Sequence, residues 1–410
     1  VDAPFVSAQL FLIRHAPTER RRQGPAGSHV LNNVHDKFNL RLMSAPPRSP
    51  SRLPPVDPAL RAPARGTTAQ PAPRFDAQVR EWAPDGWDLP EETRSIAREV
   101  TVERPRSVIA WNSSPDLGFD RALNPYRGCE HGCIYCYARP THAWLGLSPG
   151  LDFETRLVAR PDAPSVLARE LGRRGYKAAP LCLGSNTDPW QPIEAERRIT
   201  RSVLEVLRDW RHPVTITTRG ALIERDLDIL SEMAAEGLVQ VGVSITTLDA
   251  ALARSMEPRA PTPARRLQTV AALAGARVPV RLMLAPIIPG LTDHELEAIM
   301  AAARKAGAQS AWWSLLRLPH EVSPLFRDWL DRHRPDAAAK VMHRLQEMRG
   351  GRDYDSAFGR RFTGAGPVAA LLRQRFKLAE RRLGYAPVLP PLDCTRFRPP
   401  PRAGDQLSLF

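Results

Sequence analysis

"RGCEHGCIYCYARP", residues 127–140, holds three of the chain's five cysteines, Cys129, Cys133 and Cys136, within eight positions. The other two, Cys182 and Cys394, lie far off in sequence. An odd cysteine count with one tight cluster does not fit a secreted disulfide framework. The spacing Cys-x3-Cys-x2-Cys instead offers three thiolates from one loop. Two metal readings stay open on the residues alone. Zinc requires a fourth ligand, for which Cys182 and His131 are the candidates. A four-iron four-sulfur cluster with three protein ligands leaves one iron open, to be filled by a substrate or cofactor.

Outward from this loop the chain alternates between two hydrophobic periods. Short apolar runs at 179–185, 213–218, 239–245, 278–286 and 310–318 read as buried parallel strands. Between them, 164–175, 194–210, 223–236, 264–275 and 293–307 carry apolar residues at helical spacings of three and four. Strands separated by helices imply right-handed βαβ units and a parallel sheet. A further strand just before Cys129 makes six units. The expected fold class is therefore α/β, a partial (β/α)6 barrel over residues 121–320, with its site at the carboxyl ends of the strands.

The flanks read differently. Ser44 to Pro73 contains nine prolines, and that composition buries no core, so residues 1–74 are expected to form a disordered, Pro-rich arm. Residues 75–120 read as a segment wrapping the surface, 321–390 as a basic helical extension, and 391–410 as a flexible tail. Residue 1 is Val, and Met43 is a candidate start because what precedes it has no clear pattern.

Net charge is +14, and of the 58 basic residues only five are lysine. With a pI near 10.3 this fits an anionic partner, nucleic acid above all, against the plainer reading of an Arg-rich solvated surface. No apolar run is long enough for a secretory signal core or a membrane span, so the expected location is a reducing cytoplasm with no membrane partner.

The cysteine spacing resembles that of the radical S-adenosylmethionine (SAM) superfamily. Tyr135, just before the third cysteine, stands where that family stacks a side chain near the adenine of SAM. The resemblance runs over roughly residues 105 to 385, through "NPYRGCEHGCIYCYARPTH", "GSNTDPWQPIE", "TTRGALIERDLDIL", "SITTLD", "MEPRAPTPARRL" and "APIIPGLTDHE", in that order. It is similar to the branch related to spore photoproduct lyase, and to an uncharacterised bacterial subgroup within it. The resemblance implies a four-iron four-sulfur cluster on Cys129, Cys133 and Cys136, whose open iron is chelated by the methionine end of SAM. One-electron cleavage then gives a 5′-deoxyadenosyl radical. An electron donor such as a flavodoxin or ferredoxin is implied as well.

Roles follow motif by motif. Ser185, Asn186 and Thr187 are expected at the SAM amine or carboxylate, against the plainer reading of an Asx turn. Ser244 is placed at a ribose hydroxyl. Arg259, beside Glu257, is expected to pair with the SAM carboxylate. Ile288, with Ile287 at a strand end, is expected to read adenine through backbone groups and an apolar face, against the plainer reading of core packing. One departure matters. In the branch it resembles, a cysteine at the place of Ser185 returns a hydrogen atom to the substrate. A serine O–H bond is too strong for that, and Cys182, three residues earlier, reads first as a small buried residue.

Two further features point to partners. Between Arg344 and Arg382 ten basic residues face four acids, with Tyr354, Phe358, Phe362 and Phe376 interleaved, a composition suited to phosphates and bases. The last five residues, Gln406, Leu407, Ser408, Leu409 and Phe410, resemble the peptide by which bacterial repair proteins bind the sliding clamp. The expected function is a radical SAM enzyme acting on DNA lesions. The rivals are radical SAM modification of RNA or of a protein side chain, and a non-catalytic iron–sulfur protein that binds nucleic acid or the clamp.

Overall fold

The computed structural model describes residues 60–61, 64–75, 94–95 and 97–400. At its centre is a seven-stranded sheet: β1 (Ala110–Trp111), β2 (Arg121–Leu123), β3 (Leu181–Leu183), β4 (Val214–Thr218), β5 (Val239–Ser244), β6 (Val280–Ile287) and β7 (Ser310–Leu315). The strands lie side by side in chain order. β2 to β7 are parallel throughout, and β1 runs antiparallel to β2. Unbroken chain order is the winding of a barrel. A doubly wound sheet would reverse its order partway. Among the described residues β1 and β7 form the two edges, so the six parallel strands make an open, partial barrel.

Each parallel strand is followed or preceded by a helix that covers one face: α1 (Ala163–Leu171), α2 (Ile199–Asp209), α3 (Leu227–Ala235), α4 (Pro263–Gly275) and α5 (Leu296–Lys305). The sequence dictates which face. In β4, Val214, Ile216 and Thr218 are buried while Thr215 and Thr217 are only half-buried, and β6 alternates in the same way. Val214, Ile216, Val241, Leu282 and Leu284 join Val203, Leu207, Leu230, Val270 and Ile299 of the helices in one core. Burial of each such side chain contributes about 1.5–3 kcal/mol. The alternate positions face the other side, where helices do not cover them. That side carries the site.

The helix expected over 194–210 is broken. Glu194–Arg197 ends at Arg198, whose φ of 53° is left-handed, and α2 begins after it. The buried Glu194 carboxylate then accepts from the Thr200 and Arg201 amides at 3.0 and 3.3 Å, capping the new start. A second sheet, Glu99–Val102, Arg156–Ala159 and Tyr126–Arg127, flanks the cysteine loop and leads into it.

The expectation of a disordered arm through residue 74 does not hold for its last part. Residues 64–75 are built into the fold. Thr67 and Ala69 are buried, and Gly66 lies so close to the cysteine loop that a Cβ there would meet the Gly132 carbonyl at 1.9 Å. Small residues, which the Pro-rich composition concealed, are what permit this approach.

After β7 the chain forms α6 (Val322–His333), α7 (Pro335–Glu347) and α8 (Gly366–Arg382). Leu325, Val341, Leu345, Leu372 and Phe376 join the main core, so this extension is continuous with the barrel. No helix among the described residues is long and apolar enough to cross a membrane.

Candidate functional site

The cysteine loop follows β2 and lies over the carboxyl ends of the strands. Cys129 and Cys133 are buried and Cys136 is half-buried, and all three are free thiols. Gly128 and Gly132 give the loop its bends, with φ of 77° and 66°. Arg139, fully buried, holds the loop from behind. Its guanidinium donates to the carbonyls of Cys133 (2.9 Å), Gly132 (3.1 Å) and Gly150 (2.9 Å) and pairs with the fully buried Glu154. The other Glu154 oxygen accepts from the Gly66 amide at 2.9 Å, which ties residues 64–75 to the same anchor.

In front of the loop the strand ends supply polar groups. Arg219, directly after β4, donates to the sulfur of Cys133 at 3.0 Å and to the Tyr135 hydroxyl at 2.8 Å, and it pairs with Glu257 at 3.0 Å. Glu257 is a buried hub. It also accepts from Tyr135, from Thr246 at 3.1 Å and from Arg266. Asp188, after β3, accepts from Thr218 (2.6 Å) and from the Arg219 amide (2.8 Å), and lies 3.3 Å from His131. Burial opposes the Asp188 charge, but His131 and these donors hold its carboxyl well below the usual range.

Burial pushes the Cys133 thiol up to about 12, although Arg219 works against it, and raises the Cys129 thiol well above its ordinary value, with Asp188 adding to the rise. Without a metal these thiols keep their protons. Loading must release them. A guanidinium aimed at sulfur is a good partner for the thiolate that results. The donor set fits a cluster better than a lone ion. Zinc draws four donors to about 2.3 Å of one point. Among the described residues no three His, Cys, Asp or Glu side chains gather that way. A four-iron cube instead takes each thiolate at a different iron. Of the two candidates for a fourth zinc ligand, His131 faces Asp188, and Cys182 lies in mid-β3 in register with Thr215.

The other expected site residues divide. Ser185, Asn186 and Thr187 do meet at the mouth, in a loop shaped by Asn124. Its side chain donates to the Ser185 hydroxyl at 3.2 Å and accepts from the Asn186 and Thr187 amides at 3.0 and 3.3 Å. The Thr187 hydroxyl proton goes to the Tyr126 carbonyl, 2.8 Å away. Tyr135 is buried with its hydroxyl in the Glu257 network. Ser244 ends β5, buried, its carbonyl held by Arg266 at 3.2 Å. Arg259 stands at the cysteine loop, where its guanidinium pairs with buried Glu130, the residue after Cys129, at 3.2 Å and its amide donates to the His131 carbonyl at 3.4 Å. Arg219 is the arginine at the sulfur. Ile288 is fully buried, and its amide and carbonyl are both engaged with the turn through Thr292, at 3.0 and 2.9 Å.

Arg219, Asp188, Asn124 and Arg139 were not singled out from the sequence. "TTRG" placed an arginine at a strand end, but nothing local said which way it turned. Tyr137, next after Cys136, carries no separate signal in the sequence. Its hydroxyl end points inward and donates to the Ser185 carbonyl, and burial pushes that hydroxyl up, with the Cys136 and Cys182 thiols adding to the push and Arg317 opposing it.

A parallel sheet wound as a partial barrel, with three cysteines of one loop over its strand ends, defines an iron–sulfur enzyme class. The chain belongs to the radical SAM superfamily, whose family model matches residues 123–303. Its members are enzymes that use SAM and an iron–sulfur cluster. An uncharacterized protein of Mycobacterium tuberculosis is 35% identical over 246 residues, 59% of this chain and 72% of the relative. An uncharacterized protein of Methanocaldococcus jannaschii is 24% identical over 58% of this chain and 86% of its own length. Among solved structures, spore photoproduct lyase complexed with dinucleoside spore photoproduct shares the fold, with a TM-score of 0.50 at 15% identity, over 70% of this chain and 80% of that one.

Proposed function

We propose that this radical SAM enzyme acts on DNA, in the cytoplasm, with a four-iron four-sulfur cluster on Cys129, Cys133 and Cys136 and an open iron for SAM. The observation that carries the cluster is the loop itself, with three thiols from one turn and Arg219 set 3.0 Å from the Cys133 sulfur. DNA is supported by the net charge of +14 and by the fold shared with a lyase whose complex holds a dinucleoside photoproduct. The chemistry these cofactors supply when bound is one-electron cleavage of the S–C5′ bond, giving methionine and a 5′-deoxyadenosyl radical that takes a hydrogen atom from the substrate.

The chain's own residues hold and shield. Arg139 and Glu154 fix the loop's carbonyls, so the cysteines are preorganised. Glu257 orients Arg219 and Tyr135 together. Ser185 and Asn186 stand at the mouth, where an amine or carboxylate of SAM needs partners, and Ser244 stands at the next strand end but one. Cys182 lies in register with Thr215, on the strand face that carries the site, and burial pushes its thiol up to about 12. A flavodoxin or ferredoxin is the class of electron donor this site requires. Reconstitution under anaerobic conditions with SAM and dithionite tests the reading. The expected product is 5′-deoxyadenosine, in greater yield when DNA is present. No product, or a yield indifferent to DNA, contradicts the cluster and the DNA reading respectively.

A further inference from the structure

We propose that a cleft beside the cysteine loop seats one extruded nucleobase of single-stranded DNA. The inference rests on the enzyme reading above and adds to it the place and form of the substrate. The cleft has a volume of about 260 Å³, and its walls include Arg74, Tyr137, Trp144, Arg317, His320 and Tyr354. One wall continues the cysteine loop. Tyr137 follows Cys136, and Trp144 stands on the 3-10 segment Arg139–Leu145 that comes next. The other wall is the connection after β7, which carries Arg317 and His320.

The chemistry of these walls is specific. Trp144 is 70% exposed, and the ring of Phe75 lies 4.3 Å from it, so a broad aromatic surface faces outward where a core would bury it. Among the described residues Arg317 rests on rings, not on a carboxylate. Its guanidinium is 4.0 Å from the Tyr137 ring centre and 4.8 Å from that of Phe362. Arg74 is fixed by the buried Glu321, 3.1 Å away. Flat aromatic faces beside guanidinium groups are what a base and its phosphate need, through stacking and charge-assisted hydrogen bonds.

Size and position select among ligands. The volume is below the roughly 300–1,000 Å³ of pockets that enclose drug-sized molecules, so it suits one base and not a base pair. Enzymes that react at a base must take it out of the stack, and a single strand spares that cost. Tyr137 belongs both to this cleft and to the segment holding the cysteines, so a base seated in the cleft lies beside the cysteine loop.

The test is a titration of the full-length, cluster-loaded protein with a fluorescein-labelled oligodeoxythymidylate. An abasic strand of equal length and charge, and an oligouridylate, serve as comparators. The wild type should prefer thymidylate to the abasic strand. Trp144→Ala should weaken thymidylate binding roughly tenfold and leave the abasic strand unaffected, and Trp144→Phe should restore most of the loss. Arg317→Ala should weaken both strands and lower the salt slope by about one. Equal binding of thymidylate and abasic strands by the wild type, no effect of Trp144→Ala, or tighter binding of uridylate would overturn the proposal. The same wild-type preparation, assayed for 5′-deoxyadenosine without nucleic acid, separates the two failures. Product with featureless binding removes the cleft alone, and no product removes the enzyme reading beneath it.

Discussion

The Arg219 guanidinium is 3.0 Å from the Cys133 sulfur and is itself held by Glu257, which keeps Arg266 as its second arginine partner. A positive donor at a ligand sulfur favours the more negative, reduced form of a cluster. Arg219→Met is therefore expected to shift the cluster's reduction potential to more negative values while iron content stays near that of the wild type. Potentiometric titration followed by electron paramagnetic resonance (EPR) reads this, and an unchanged or more positive potential contradicts it. The cysteines were legible in the sequence because their chemistry is local: spacing alone puts three thiols on one loop. Arg219 was not, because its contact joins residues 86 apart and depends on how β4 ends. The same limit hid the pairing of Arg259 with Glu130. Two arginines each follow a strand or its loop, and only the fold tells which of them faces sulfur.

At the scale of elements, the alternation of strands and helices carried most of the fold, since period-two burial in β4 and β6 and period-3.6 burial in the helices are both written in side chains. The break at Arg198 was hidden, because its cause is the Glu194 carboxylate reaching two amides of α2 from the other side. Residues 64–75 were hidden too, because proline content masks the buried Thr67 and Ala69. That segment, Glu154 and Arg139 form one anchor beneath the cysteine loop. Arg139→Ala strands a fully buried carboxylate, and the expected cost is about 3–5 kcal/mol. Urea denaturation should show the loss, and reconstituted protein should hold less iron per chain. Full stability together with full iron content would show that the loop needs no such anchor. The substitution Gly66→Ala should act in the same direction, since its new methyl group would meet the Gly132 carbonyl.

At the scale of the whole molecule, charge is less freely available than the composition suggested. Arg344, Arg360, Arg361 and Arg375 pair with Asp293, Asp355, Asp116 and Glu297, and Arg349 is buried and donates to carbonyls. Phe376 is buried beside Trp313, while Phe358 stays 60% exposed. Half of the basic stretch thus serves the fold, which sequence counting cannot separate from a binding surface. The tail, Gln406 to Phe410, lies outside the described residues, and its docking on a sliding clamp stays a proposal. A short peptide gives weak affinity, on the order of micromolar. Leu409→Ala with Phe410→Ala should abolish clamp binding in a direct titration and leave SAM cleavage as it was. Equal binding by the intact and altered proteins would return the tail to an ordinary apolar end.

All these scales meet in one claim, that Cys129, Cys133 and Cys136 hold a four-iron cluster with one iron open to SAM. EPR of the dithionite-reduced, anaerobically reconstituted protein, recorded before and after SAM is added, tests it most directly. The expected result is a reduced-cluster signal whose line shape changes on SAM addition, and no such signal when any one of the three cysteines is replaced by Ala. A signal indifferent to SAM, or a protein that binds zinc and no iron, would contradict it.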